Sequence, residues 1–229
     1  MLQQINKKKI YFYIFAFLIL STFFNQRLII LFENNFLLKN ILIEASNLEI
    51  EKKVRSSSYY LFNKNILFIS KKELQKNLES LKFLENINVK KKYPSTIIID
   101  AKKTELIAET YLNQKKYFIG SNGNLILSDS ISSNSNLPSI FGKFNIKNYL
   151  NLKNELKKSG IDNNKIIKYF FHKSKRWDLI YENNIIIQLP NKNLVNALNL
   201  FNDFKTKNLI KPNSTIDLRI NNRITIKNG

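Results

Sequence analysis

Lys7-Lys8-Lys9 stands directly before Ile10–Phe24, fifteen residues of which thirteen are apolar. Asn25-Gln26-Arg27 interrupts the run and Leu28–Phe32 resumes it. A helix over residues 10–32 would be about 35 Å long at 1.5 Å per residue, against a bilayer hydrocarbon core of about 30 Å. Arg27 would fall about 27 Å along that axis from Lys9, close enough to snorkel to the far interface. A cleaved signal peptide needs a small-x-small site after its apolar region. Ala16 lies mid-run and the next alanine is Ala45, so that site is missing. A buried helix of a soluble domain is the competing reading, because fifteen apolar residues are short for a span. The lysines ahead of the run favour an uncleaved anchor with its N-terminus in the cytoplasm. Residues 1–9 then form a cytoplasmic tail, 10–32 a transmembrane helix, and the rest folds outside the cytoplasm.

The net charge of +20 would ordinarily raise nucleic acid as a partner. Its source argues against that, since 32 Lys accompany only 5 Arg. Arg supplies the planar fork that base and phosphate recognition favours. Lys, Asn and Ile make up 99 of 229 residues, a general compositional bias, and the lysines are spread without interleaved aromatics. Nucleic acid is therefore not expected as a partner. Cysteine is absent, which removes disulfides, thiolate nucleophiles and Cys-ligated metals. His172 is the single histidine. No cofactor, metal or small-molecule substrate is expected.

Beyond the anchor, Leu38–Ile43 reads as a strand, and Ile50, Val54 and Leu61 keep helical spacing. Ser70-Lys-Lys-Glu73 is a capping box before Leu74, Leu78 and Leu81. Two strand-like stretches follow, Ile87–Lys91 and Thr96–Asp100, separated at Lys92–Ser95 by Pro94. The order β-α-α-β-β describes a small α+β module. Past Ala101 the pattern becomes hairpins. Tyr117–Ile119 and Leu125–Leu127 flank Asn122-Gly123, and Ser128–Asn136 is a polar loop. A helix over Lys147–Lys158 stops at Gly160. Trp177, Leu179 and Tyr181 and then Ile185, Ile187 and Leu189 form alternating strands. Their apolar sets share a face if 181 opposes 185 across Glu182-Asn183-Asn184. A helix near Leu194–Phe204 precedes a terminal pair, Thr215–Ile220 and Arg223–Lys227.

No catalytic constellation emerges. His172 reads as a surface or strand-edge residue, and Ser174 has no nucleophile elbow around it. Asp178 and Asp217 fall on polar strand faces and read as solvated. Trp177 reads as the centre of the second-domain core. Lys90-Lys91-Lys92 reads as a solvated strand end, with anionic headgroups as the alternative because the anchor is near. The final strand reads as an edge, whose unpaired backbone groups can take an added strand. A three-residue loop, Asn221 to Arg223, would oppose Ile220 to Ile224 and Leu218 to Ile226. That register turns the Thr225 N–H to the open edge. The candidate partner-binding residues are Arg219, Ile220, Arg223, Ile224, Thr225 and Ile226.

These residues together resemble the bacterial FtsQ/DivIB family, in its alphaproteobacterial form. Asn65-Ile-Leu-Phe-Ile-Ser-Lys-Lys-Glu-Leu74, Phe83-Leu84 and Tyr93-Pro94-Ser95-Thr96-Ile97 resemble its POTRA module. Leu137-Pro138-Ser-Ile-Phe-Gly142, Arg176-Trp177-Asp178-Leu179 and Ile216-Asp217-Leu218-Arg219 resemble segments of its second domain. Leu106 stands where the family often has Pro, and Phe83 where it often has Trp. The resemblance implies an α+β protein: one N-terminal transmembrane helix, a POTRA-like module at 36–104, and a mostly antiparallel β domain with flanking helices at 105–229. It implies a non-enzymatic scaffold of the division machinery in the inner membrane, with its bulk in the periplasm at the septum. Bitopic FtsB- and FtsL-like proteins would be its partners, and septal peptidoglycan synthesis would be regulated through that assembly. A periplasmic POTRA-bearing chaperone is the alternative; it would be expected to carry several POTRA repeats or a barrel.

Overall fold

The computed structural model describes residues 7–22, 34–133 and 136–228. The chain divides into two compact units, Met1–Leu78 with Ile87–Ala101 and Glu79–Asn86 with Lys102–Gly229. Helix α1 (Lys7–Thr22) covers 16 residues, about 24 Å of axis. Its large side chains, including Tyr11, Phe12, Phe15, Phe17 and Leu20, are exposed around the whole circumference. Among the described residues no helix is long and apolar enough to cross a membrane. Residues 23–32 of the expected span lie outside the described residues.

The first unit contains β1 (Asn40–Ala45), α2 (Leu48–Ser58) and most of α3 (Lys71–Glu79), β2 (Leu84–Lys92) and β3 (Thr96–Lys103). Its sheet order is β1-β3-β2, with β1 parallel to β3. The Asn47 side chain accepts from the Ile50 N–H and starts α2, and Ser70 Oγ accepts from the Glu73 N–H and starts α3. Ile50 and Val54 on α2 and Leu74 and Leu78 on α3 recur every fourth residue and are buried. They face a sheet that buries alternate residues, Ile97, Ile99 and Ala101 on β3. Each of the large aliphatic side chains contributes roughly 1.5–3 kcal/mol on burial. Pro94 lies in the turn joining β2 to β3, and both strands run longer than the sequence patterns suggest.

The second unit carries β4 (Leu106–Leu112), β5 (Lys115–Gly120), β6 (Leu125–Leu127), β7 (Ser139–Phe141), α4 (Ile146–Lys158), β8 (Ile166–Phe171), β9 (Trp177–Tyr181), β10 (Ile185–Gln188), α5 (Leu194–Thr206), β11 (Thr215–Asp217) and β12 (Thr225–Lys227). They form one nine-stranded sheet, β12-β11-β10-β9-β8-β7-β4-β5-β6. Among the described residues, five of its eight pairings are antiparallel and three are parallel. Helices α4 and α5 make the crossovers for β7–β8 and β10–β11, since parallel neighbours cannot be joined by a tight turn. Both helices share one core with the sheet. Trp177 is 6% exposed, and its ring lies 4.7–6.3 Å from those of Phe144, Tyr149, Tyr169 and Phe171. The β9–β10 hairpin has the expected register, with Tyr181 opposite Ile185. Asn183 and Asn184 take positive φ in its turn, a conformation Asn tolerates through local hydrogen bonding.

The terminal hairpin differs from expectation. Thr215 opposes Lys227, Ile216 opposes Ile226 and Asp217 opposes Thr225. The pairing expected from the sequence, Leu218 with Ile226 and Ile220 with Ile224, is off by two residues. Ile216 and Ile226 still share the core face, so the apolar set survives the shift. The cause is local. The Arg223 N–H donates to the Ile220 carbonyl, closing a tight turn through Asn221-Asn222. The Asp217 carboxylate accepts from the Arg219 N–H, two residues on, and the strand ends there at Asp217, short of the expected Ile220.

Candidate partner-binding edge

Strand β12 ends the nine-stranded order, so one of its sides is unpaired within the described sheet. The bonds between β10 and β11 fix which backbone groups face that side. The Ile186 N–H donates to the Ser214 carbonyl and the Leu218 N–H donates to the Gln188 carbonyl. Residues 214, 216 and 218 therefore turn their polar groups toward β10, and 215 and 217 turn theirs toward β12, because backbone direction alternates along a strand. Asp217 and Thr225 are consequently a hydrogen-bonded pair. The Thr225 N–H points inward, contrary to the sequence expectation, and the outward N–H and C=O belong to Ile226.

The six sequence-predicted residues fall in one hairpin but play different parts. Thr225 is internal to the ladder. Ile224 and Ile226 are half-buried against the core. Ile220 is 58% exposed and, with Arg223, lines a hollow of about 270 Å³. Leu218 and the α5 residues Asn196, Leu200 and Asp203 complete much of that hollow. The α5 residues were missed from the sequence: Leu200 reads there simply as part of an amphipathic helix. Arg219 is held by Asp217, with Nε donating at 2.8 Å and Nη2 at 2.5 Å. Hydrogen bonding from Arg219 lowers the Asp217 carboxyl to about 2, against an ordinary 3.8.

Neither Asp178 nor Asp217 is the solvated residue the sequence suggests. The Asp178 side chain is 14% exposed, its Oδ2 lies 2.8 Å from His172 Nε2 and 3.9 Å from Arg176 Nη2. His172 is thus a paired residue at the end of β8. Asp178, Gln188, Asp217 and Thr225 are successive partners across β9 to β12. The two carboxylates stand two strands apart, roughly 10 Å, and each has a cationic or histidine partner. That arrangement organises the sheet face next to the edge and brings no two carboxylates together for proton transfer.

The chain matches two family descriptions, the POTRA domain of FtsQ type over residues 36–102 and the C-terminal domain of the cell division protein FtsQ/DivIB over residues 110–219. The second match ends at Arg219, just before the turn of the terminal hairpin. The chain is 25% identical to the cell division protein FtsQ of Rhizobium radiobacter over 155 residues, 67% of this chain and 74% of that protein. It is 25% identical over 155 residues to the FtsQ of Agrobacterium fabrum (strain C58), 67% of this chain and about half, 49%, of that protein. Against the FtsQ of Rickettsia bellii it is 28% identical over 197 residues, 85% of this chain and 73% of that protein. The two matched segments are consecutive and fall on the strand-helix-helix-strand-strand module and within the nine-stranded domain described above. The chain belongs to the FtsQ/DivIB family of non-enzymatic bacterial cell-division proteins.

Proposed function

We propose that this chain is a membrane-anchored scaffold of the division machinery that takes a strand from a bitopic partner of FtsB or FtsL type onto β12. The observation that carries this reading is the outward backbone of Ile226 on the unpaired side of β12, in a hairpin whose turn residues Ile220 and Arg223 line a hollow with Leu200. An added strand draws affinity from main-chain hydrogen bonds and specificity from alternate side chains. Ile226 supplies the first and the hollow a seat for the second. Arg219 is neutralised by Asp217, and Arg223 shares the lining of the hollow with Asp203, so the hollow offers both a cation and a carboxylate to the partner's side chains. An apolar surface on every side of α1 supports residues 10–32 as the single span. The lysines before it favour a cytoplasmic tail of residues 1–9 and a periplasmic bulk. On this reading residues 36–104 are the POTRA-like module and 105–229 the partner-holding domain, in the inner membrane at the septum.

The test compares Ile226→Pro with Ile226→Ala in the full-length protein. Both remove the isoleucine side chain, and only proline removes the outward N–H. Ile226→Ala should still capture the FtsB-type partner of the same cell, while Ile226→Pro should lose about tenfold or more in affinity. Equal capture by the two variants would rule out strand addition at β12.

A further inference from the structure

Three segments of the first unit meet at one end of its sheet. The Leu38 N–H donates to the Lys64 carbonyl at 2.8 Å, the Asn63 N–H to the Leu38 carbonyl at 3.1 Å, and the Ile66 N–H to the Phe36 carbonyl at 2.8 Å. The Lys39 N–H donates to the Ser95 carbonyl at 2.9 Å, and the rings of Phe36 and Tyr93 stand edge to face at 6.5 Å. Lys91 Nζ donates to the Leu67 carbonyl at 3.2 Å. Residues 36–39, 59–68 and 91–95 are thereby one surface. It is also where the chain enters the unit from the anchor.

That surface leaves large aromatic rings outside. Phe68 is 86% exposed, and Tyr60 and Tyr93 are exposed with it. Tyr60, Phe68, Lys64 and Glu73 line a hollow of about 160 Å³. Lys64 Nζ sits 4.9 Å over the Tyr60 ring. In the sequence, segments 33–40, 59–73 and 90–95 carry seven lysines against two carboxylates, Glu33 and Glu73. Burial, and after it the neighbouring charge of Lys71, push the Lys91 amine down. Aromatic rings flanked by lysines suit the boundary between headgroups and acyl chains.

We infer that this end of the unit rests on the anionic headgroup layer, with Phe68, Tyr60 and Tyr93 in the interface and Lys39, Lys64 and Lys71 against lipid phosphates. The inference depends on residues 10–32 being the span. From residue 32 to Phe36 is four residues, at most about 14 Å of chain, so the surface is tethered within reach of the bilayer. An anionic surface attracts such lysines over about a Debye length. The unit would then be docked on the bilayer, with β1 leading away from it toward Leu48, which is itself 73% exposed.

The chain has no cysteine, so single-cysteine variants of the full-length protein take a nitroxide label at one position. Phe68→Cys, Leu48→Cys and Phe17→Cys would be reconstituted in vesicles of phosphatidylethanolamine with or without phosphatidylglycerol. The expected result is a collision rate with a water-soluble nickel chelate about fivefold lower at 68 than at 48 when phosphatidylglycerol is present. Lys64→Glu with Lys71→Glu should reopen position 68 to the chelate. A label at 68 as open as that at 48 in both vesicles, with 17 buried in lipid, overturns the docking and leaves the anchor standing. A label at 17 open to the chelate removes the anchor, and the docking with it.

Discussion

The Asp217 carboxylate engages Arg219 three times, through the backbone N–H at 3.0 Å, Nε at 2.8 Å and Nη2 at 2.5 Å. One aspartate thus ends the strand and holds a guanidinium. Because its folded value of about 2 lies below the ordinary 3.8, the pair's contribution to stability is present in full above about pH 4. It is lost as pH falls through about 2, where the folded form also takes up its proton. Following the Asp217 carboxyl carbon by NMR should give a midpoint near 2 in the wild type and one near the ordinary value in Arg219→Gln. An unchanged midpoint in Arg219→Gln would show that Arg219 is not the cause. Gly142 is another residue whose role the structure explains. Its φ is +101°, and an added Cβ would meet the Phe171 carbonyl oxygen at 2.2 Å, so the glycine of the Leu-Pro-x-x-x-Gly segment is required by backbone approach.

Register decides what each residue of the terminal hairpin can do. Thr225 opposes Asp217 within the ladder, so Thr225→Pro removes a hairpin bond and leaves the Asp217 carbonyl without its donor. A loss of roughly 1–3 kcal/mol is expected, read as a lower denaturation midpoint. Wild-type stability in Thr225→Pro would restore the register suggested by the sequence. Most elements of both units were legible because their patterns were long or locally punctuated. Ser70 to Glu73 marks a cap, Asn122-Gly123 marks a turn, and in β9 and β10 the odd-numbered apolar residues combine with the short loop Glu182-Asn183-Asn184 to give the register. The terminal hairpin was half legible. Parity alone places Ile216, Leu218 and Ile226 on one face, but any shift by two residues satisfies parity equally. What distinguishes the registers is the side-chain bond from Asp217 to the Arg219 backbone, a feature no hydrophobic alternation carries. The hollow between α5 and the turn of the terminal hairpin was illegible for a related reason: Leu200 and Ile220 are far apart in sequence and meet only through the β10-α5-β11 crossover.

At the scale of the whole molecule, a member of a non-enzymatic family must act through the surfaces it offers. This chain offers the β12 edge in one unit and the aromatic, lysine-rich end of the other. The β12 edge carries the proposed function, and its backbone alternation gives that proposal a residue-by-residue signature. Amide hydrogen exchange of the full chain, free and saturated with the extracytoplasmic segment of its FtsB-type partner, reads that signature directly. Thr225 and Lys227, bonded toward β11, should be protected in both states, and the Ile226 amide should exchange freely alone and slow by about a hundredfold or more in the complex. An Ile226 amide that exchanges equally fast with the partner bound would contradict the account.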